Sequence, residues 1–339
     1  PPRSTLFPYT TLFRSLIKYN NLPYLQTLIQ TEAQLVHYLK TINNANCLAI
    51  DTEFKRINTY YPQLCLVQIA TTHSAECIDV LSISDLKPLF EKLYHNKTEW
   101  IVHSARQDIE ALYHLSKRIP SSLFDTQIAA SLLNYPLQIS YQALTEILQD
   151  VYLDKSHTRY DWTKRPLPKD VVEYALDDVR YLLPNFKKLK HELTISKKIQ
   201  WLDEETRFLL DTELYNPNIE QICYKTKGLS RLDNKFQVKA IKLAAWRESN
   251  AQQKNKPRKW IMSDEKLLDY ACGKIKLSTR SKKLFDDFVK ESSETLSLSE
   301  LLTPQKPLTS SEKNKKNELQ RLIKDRKSTR LNSSHVKRS

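Results

Sequence analysis

Residues 47–54 read CLAIDTEF. Leu48, Ala49 and Ile50 form a short apolar run of the kind that makes a buried strand. The run ends on two carboxylates, Asp51 and Glu53, with only Thr52 between them. Residues i and i+2 of a strand project to the same side, so the two acids stand side by side at the strand's end. Further apolar runs, LCLVQIATT (64–72), ECIDVL (76–81) and WIVHS (100–104), also read as strands. Segments of helical spacing surround them. Thr31 and Gln34 form a capping box ahead of QLVHYLK. SDLKPLFEKLYH is amphipathic, with Ser84 or Asp85 as its cap, and RQDIEALYHLS places Ile109, Leu112 and Leu115 at helical spacing. TQIAASLLN, YQALTEILQDV, a long segment from about Lys169 to Leu193, and QWLDEETRFLLDTELY continue the helical pattern. Strands followed by strand–helix alternation predict an α/β domain on a mixed sheet.

Adjacent carboxylates raise each other's pKa unless a cation lies between them. A divalent metal ion is the usual solution, and hard oxygen ligands suit Mg²⁺ or Mn²⁺. A lone Asp-x-Glu reads as readily as a solvated strand end, but two further sites shift the balance. In VHSARQDIEAL, Asp108 stands in the first turn of a helix directly after a strand, where a carboxylate also suits the helix dipole. In EYALDDVRYLLP, Tyr174 and Asp178 are four apart and share a helix face, while Asp177 points elsewhere and serves as a structural control. Each has an ordinary explanation by itself; the combination is much harder to reach by accident. Four carboxylates can hold two metal ions about 3.5–4 Å apart and clamp a scissile phosphate, one ion activating water and the other stabilising the leaving 3′ oxygen. Tyr174 would position the attacking water.

The chain has 339 residues, which suits two domains, or one large domain and a small one. No run of about 18 apolar residues occurs, so no transmembrane helix is indicated. Nor is there a signal-peptide pattern. Cys47, Cys65, Cys77, Cys223 and Cys272 include no C-x-x-C pair, which argues against a disulfide framework or a cysteine-ligated zinc site and fits a reducing, cytoplasmic setting. Residues 1–15, PPRSTLFPYTTLFRS, look like the in-frame translation of a short-read sequencing adapter. Residues 325–339, DRKSTRLNSSHVKRS, look like that of the opposite adapter, and both are set aside from fold reasoning. The sole methionine is Met262, so the remainder reads as a gene fragment open at both ends. Without those ends, 46 basic and 38 acidic residues remain, a net of +8 rather than +14. The excess favours polyanionic partners, and equally describes an ordinary lysine-rich protein.

Composition shifts near NPNIEQICYKTKG (216–228), which predicts a linker over 216–225. Beyond it, residues up to about 273 read as a small basic helical domain: a helix, a basic loop with Pro257, and a helix capped at Ser263. Residues 291–312 are polar and connective, and no internal repeat is present.

IDTEF, the Asp of HSARQDIE, and YALDD resemble the DEDD exonuclease superfamily in its tyrosine-bearing branch. The histidine-bearing branch would carry His five residues before the last Asp, where Glu173 stands here, followed by Tyr174. TEFKRINTYYPQLCLVQIA, FDTQIAASLL, LDKSHTRYDWTKRPL and YALDDVRYLLP together look like bacterial ribonuclease D over about residues 25–290. The resemblance implies an RNase H-like exonuclease domain over 16–215. Within it, Asp51, Glu53, Asp108 and Asp178 would be ligands of two divalent ions, Mg²⁺ or Mn²⁺, and Tyr174 the water-orienting residue. Phe54 could pack on the terminal base or sugar. Gln63, Lys155, Arg159 and Arg165 become candidates for RNA contact, or else solvated loop residues. His103 reads as a core or supporting residue rather than a ligand, and Asp125 as the cap of its helix. Residues 226–292 resemble an HRDC domain, an all-α nucleic-acid-binding module, through AAWRESNAQQKNKPRKWIMSDEKLLDYA. There Arg258, Lys259 and Trp260 are candidates for RNA contact, and Trp260 reads equally well as core. After a connective stretch over 293–310, residues 311–324 look like the start of a truncated second HRDC domain. The family often has a small residue at Tyr160 and Gln at Val171, departures that bear on substrate preference rather than chemistry.

The resemblance implies a cytoplasmic 3′→5′ exoribonuclease that releases nucleoside 5′-monophosphates from tRNA precursors and other structured RNAs with a free 3′ end. No membrane and no obligate protein partner are indicated. A DNA 3′→5′ exonuclease and a nucleic-acid-binding module without catalysis are the alternatives. The HRDC-like tail and the LDKS…DW…RPL stretch favour RNA, and the presence of all four acids and the tyrosine favours catalysis.

Overall fold

The computed structural model describes residues 28–291 except Lys155, Thr158 and Pro217, together with Ser310, Ser311, Asn314, Lys315 and Glu318. The adapter-like ends, residues 16–27, the stretch 293–309, and most of 311–324 lie outside the described residues. The chain divides into two compact units, the second starting at Asn218, save that Asn255–Pro257 fall with the first.

The first unit is built on six strands: β1 (Leu28–Ile29), β2 (Cys47–Lys55), β3 (Gln63–Ala70), β4 (Ala75–Ile78), β5 (Glu99–Val102) and β6 (Ser122–Asp125). Their order across the sheet is β1-β4-β3-β2-β5-β6. The β2–β3 and β3–β4 pairs are antiparallel, and β1–β4, β2–β5 and β5–β6 are parallel, so the expected mixed sheet forms. β1, of two residues, and β6, whose SLFD carries only two apolar residues, are not among the strands read from the sequence.

Alternation on β2 divides the core. Leu48 and Ile50 face one layer with Leu35 and Tyr38 of α1 (Glu32–Thr41), Leu89 and Leu93 of α2 (Lys87–Leu93), and Ile109 and Leu112 of α3 (Arg106–Ser116). Ala49 faces the other, which holds α4 (Thr126–Leu132), α5 (Tyr141–Gln149), α7 (Leu182–Ile195) and α8 (Ile199–Thr206). On that same side α6 (Lys169–Arg180) lays Val171, Val172, Ala175 and Leu176 over Leu66 of β3 and Cys77 of β4. Each fully buried Leu or Ile contributes about 1.5–3 kcal/mol.

The Thr31–Gln34 capping box closes the start of α1 as expected. At α2, however, the cap position is Leu86, which makes no side-chain bond, and Asp85 instead accepts from the Lys87 amide. The long helix expected from Lys169 divides at Tyr181 into α6 and α7. Pro184 is the reason: it has no N–H to give the Arg180 carbonyl and its ring crowds that carbonyl. After α8 the chain tightens into 3₁₀ turns over Arg207–Leu210 and Thr212–Leu214.

The second unit is all helical: α9 (Ile219–Tyr224), α10 (Asn234–Gln253), α11 (Arg258–Ile261), α12 (Asp264–Ala271) and α13 (Thr279–Glu291). Its core gathers Cys223, Leu229, Ile241, Ala244, Trp246, Leu267, Tyr270 and Phe285. The linker expected over 216–225 is corrected here. Ile219 and Cys223 are one helical turn apart and give α9 an apolar face, which packs into this core. Among the described residues, no helix is long and apolar enough to cross a membrane.

Candidate active site

The sheet positions two acids and two helices bring the others. Asp51 lies opposite Gln68 of β3, and Glu53 opposite Leu66. Directly after Glu53 the register shifts, so that Phe54 faces Leu64 and Cys65 is the extra residue. The bulge falls on β3 and bends that strand opposite the acids, with pairing resuming at Phe54–Leu64 and Lys55–Gln63. α6 crosses the same face and carries Asp178. One carboxylate oxygen each of Asp51, Glu53 and Asp178 lies within 4.8 Å of the others, and all three residues are half-buried.

Asp108 arrives from the opposite layer, on the first turn of α3, and is 7% exposed. Its Oδ1 accepts a hydrogen bond from the Thr52 hydroxyl at 2.6 Å. Thr52 projects away from its two acidic neighbours, because adjacent strand residues face opposite sides. Among the described residues, Asp108 does not join the close group of three. Thr52 was not singled out in the sequence. The available signal was a polar residue at an inward-facing strand position, which needs a partner.

The start of α3 is held by Asp125. Its carboxylate accepts from the amides of Ser104 (3.1 Å) and Ala105 (2.9 Å) and caps α4 through those of Gln127 (2.8 Å) and Ile128 (3.3 Å). Ser104 adopts φ 65°, a left-handed conformation that these bonds hold. His103 has both ring nitrogens engaged, Nδ1 with Thr126 Oγ1 and Nε2 with the Ile139 carbonyl, each at 2.9 Å. It supports the turn and is not a ligand in this arrangement.

No Lys, Arg or His forms an ion pair with Asp51, Glu53, Asp108 or Asp178 among the described residues. Burial first, and then the neighbouring acids, push Asp51 and Glu53 well above the usual carboxylate range. Burial raises Asp108 to about 7 against the opposing bond from Thr52. Asp178 is also raised to about 7, by burial and then by the charges of Asp177 and Asp108. A partly buried all-oxygen donor set with no cation of its own among the described residues fits a hard divalent metal ion.

Tyr174 is half-buried, its ring 5.8 Å from His157 and 6.5 Å from Trp162. His157 in turn pairs with Asp170 at 3.2 Å. The control residue Asp177 is turned onto Arg180 (2.7 Å), which also holds Glu173 (2.8 Å). Phe54 is half-buried and packs against the α1–α3 core. Gln63, Arg159 and Lys259 are exposed, and Lys155 lies outside the described residues.

Two of the candidate contact residues are engaged with the protein's own acids and carbonyls. Arg165 spends all five N–H donors inside the first unit: two on Asp79 and three on the carbonyls of Cys65, Trp162 and Lys164. Its guanidinium is thereby fully engaged within the protein. Arg258 likewise grips the fully buried Glu248 through Nε and Nη2. Trp260, open to either reading in the sequence, is 60% exposed.

A family model for a 3′-5′ exonuclease matches residues 26–194. Ribonuclease D of Bartonella henselae is 40% identical over 258 residues, 76% of this chain and 63% of that protein. Ribonuclease D of Desulfotalea psychrophila is 36% identical over 250 residues, 73% of this chain and 67% of that protein. The chain thus spans slightly under two thirds of the Bartonella relative. Among solved structures, Escherichia coli RNase D, an exoribonuclease involved in structured RNA processing, superposes with a TM-score of 0.75 at 27% identity, covering 90% of this chain and 85% of that one. With this extent of identity, and the mixed sheet and acidic cluster in place, the chain belongs to the ribonuclease D family.

Proposed function

We propose that the chain is a 3′→5′ exoribonuclease that trims tRNA precursors and other structured RNAs in the cytoplasm, releasing nucleoside 5′-monophosphates. The observation that carries this reading is the convergence of Asp51, Glu53 and Asp178 within 4.8 Å near the end of β2, opposite the bulge in β3, with no ion-paired Lys, Arg or His among the described residues. Asp51, Glu53, Asp178 and Asp108 are the residues to hold two divalent ions, Mg²⁺ or Mn²⁺. When bound, such ions supply Lewis acidity, lowering the pKa of water and neutralising charge on the scissile phosphate. The chain's own part is placement. The sheet aligns Asp51 and Glu53, α6 presents Asp178 and Tyr174 on one face, and Thr52 holds Asp108. Tyr174 orients the attacking water. The family membership and the RNA processing ascribed to the E. coli relative support RNA as the substrate class. The helical unit, read as an HRDC module followed by part of a second, adds RNA-holding surface through Lys259 and Trp260.

The test is digestion of a 3′-extended tRNA with Mg²⁺ by the parent and by Asp178→Asn. Release of 5′-monophosphates from the 3′ end should fall at least about 10²-fold in the variant, the scale of losing one preorganised electrostatic group. Equal release by both would sink the site. Equal rates on DNA and RNA ends would replace the ribonuclease with a general exonuclease.

A further inference from the structure

Lys55 is the last residue of β2. Its side chain takes the same side of the strand as those of Asp51 and Glu53, because strand residues alternate. The bulge leaves that alternation intact, since the extra residue is on β3. Glu53 and Lys55 stand two residues apart, about 6.6 Å along a strand. A lysine carries its ammonium on a flexible four-carbon stem, which spans such a distance. By position, Lys55 is the ready counter-ion for the half-buried acids beside it, and an opposite charge so close favours their ionised form.

The fold turns it away. Lys55 Nζ donates to both carboxylate oxygens of Asp161, each at 3.1 Å, and to Thr163 Oγ1 at 3.3 Å. Asp161 is fixed to receive it, since its Oδ1 accepts from the Thr163 hydroxyl at 2.7 Å and from the Thr163 amide at 3.3 Å. The two side chains of the pair are 33% and 37% exposed, and a pair so open to water adds little to stability. What the pair does decide is where the ammonium stands. Arg180 offers the contrast. It also follows a cluster acid by two residues, Asp178, but on a helix that spacing does not share a face, and Arg180 pairs with Glu173 and Asp177. Lys55 is on the acids' side and is held off them by another residue.

We infer that Asp161 is a positioning residue for the carboxylate cluster: by holding the Lys55 ammonium away from Glu53, it keeps the cluster open to divalent ions. Once Asp161 loses its charge, Lys55 is free to turn to Glu53 and compete with the metal ion there. The inference rests on the metal-site reading above and adds a residue that acts on the site through Lys55. Groups that act from behind metal ligands change metal affinity or activity by about 10–100-fold when removed.

The experiment uses the full chain, Mn²⁺ alone as the probe, and no RNA. Free Mn²⁺ is followed by electron paramagnetic resonance during titration of the parent, Asp161→Asn, Lys55→Met, the double variant Lys55→Met/Asp161→Asn, and Asp51→Asn. Asp161→Asn keeps an acceptor for the Thr163 amide and should keep its unfolding midpoint in EDTA, yet bind Mn²⁺ about 10-fold more weakly. Lys55→Met should bind at least as tightly as the parent. The double variant should return to parent affinity, because the competing ammonium is gone. A contact that merely ties the loop to β2 is lost in all three variants alike, so it predicts no such recovery. Equal weakening in Asp161→Asn and the double variant therefore overturns the inference, as does parent-like affinity in Asp161→Asn; both leave the metal site standing if Asp51→Asn loses binding. Unchanged binding in Asp51→Asn overturns the metal site itself. If Asp161→Asn does not fold, Asp161→Ser with and without Lys55→Met carries the test. Failure of both to fold would assign Asp161 to the fold alone and overturn the inference.

Discussion

One sheet carries two buried acidic sites that meet opposite fates. Just past β4, Asp79 has a side chain with no exposure, and the structure surrounds it with donors: Arg165 twice, Ser82 Oγ at 2.8 Å, Gln30 Nε2 at 3.3 Å and the Leu81 amide at 3.2 Å. Burial pushes the Asp79 carboxyl up, but the bonds from Arg165, Ser82 and Gln30 outweigh it and hold the group below its ordinary range. Near the end of β2, Asp51 and Glu53 meet Asp178, with Asp108 close by, and no cation is provided among the described residues. Burial there leaves all four acids raised, with repulsion from neighbouring acids adding to it. The difference separates structure from function. A buried acid that the fold neutralises is a fastening, and buried acids that it leaves uncompensated are held ready for a charge from outside.

The comparison breaks most visibly at Arg165. Arg165→Met strands Asp79 as a buried, unpaired charge, and loss of one partner from such a pair costs about 3–5 kcal/mol. Urea unfolding should show that loss, and the double variant Asp79→Leu/Arg165→Met should recover most of it. A single-variant loss under about 1 kcal/mol would show that Asp79 is not neutralised by this pair.

The pH dependence of stability sharpens the contrast, because the two sites have opposite signs. Asp108 and Asp178 titrate near 7 in the folded chain, above the unfolded aspartate value of about 3.9. The folded state then binds more protons than the unfolded state. The stability these two groups contribute is complete below about pH 4 and is lost as pH rises through 7. Asp79 is lowered, so its contribution is present above the unfolded pKa and lost only as pH falls through the folded one. In EDTA the unfolding free energy should therefore fall between about pH 4 and 7, where Asp79 adds a nearly constant amount. Saturating Mg²⁺ should flatten that fall; identical slopes with and without Mg²⁺ would argue against ion binding at the cluster.

Thr52→Val removes the one side-chain donor to Asp108 among the described residues and should cost about 1–2 kcal/mol. It should also slow RNA digestion by about 10-fold, the scale of removing a supporting hydrogen bond. Thr52→Ser, which keeps the hydroxyl, should restore most of the rate. Asp177→Asn is the smallest change. Arg180 keeps Glu173, the pair is partly exposed, and stability should move by less than about 1 kcal/mol with the Mg²⁺-saturated rate unchanged. A rate collapse in Asp177→Asn would mean that the wrong acid of the Asp-Asp pair has been assigned.

The Asp51–Glu53 spacing, the Tyr174–Asp178 turn, the Thr31 capping box and the alternation of β2 were all legible because each depends on residues within one helical turn or one strand. The family's motifs are built from the same short spacings, so the resemblance is legible in the sequence by itself. What only the tertiary structure decided spans longer separations. Thr52 meets Asp108 across 56 residues, and Arg165 meets Asp79 across 86. An arginine in a basic loop looks the same in sequence whether it faces RNA or a buried acid. A threonine between two acids looks the same whether it faces solvent or a third acid. Local periodicity sets which face a side chain takes, and only the packing of distant elements sets what stands on the other side of that face.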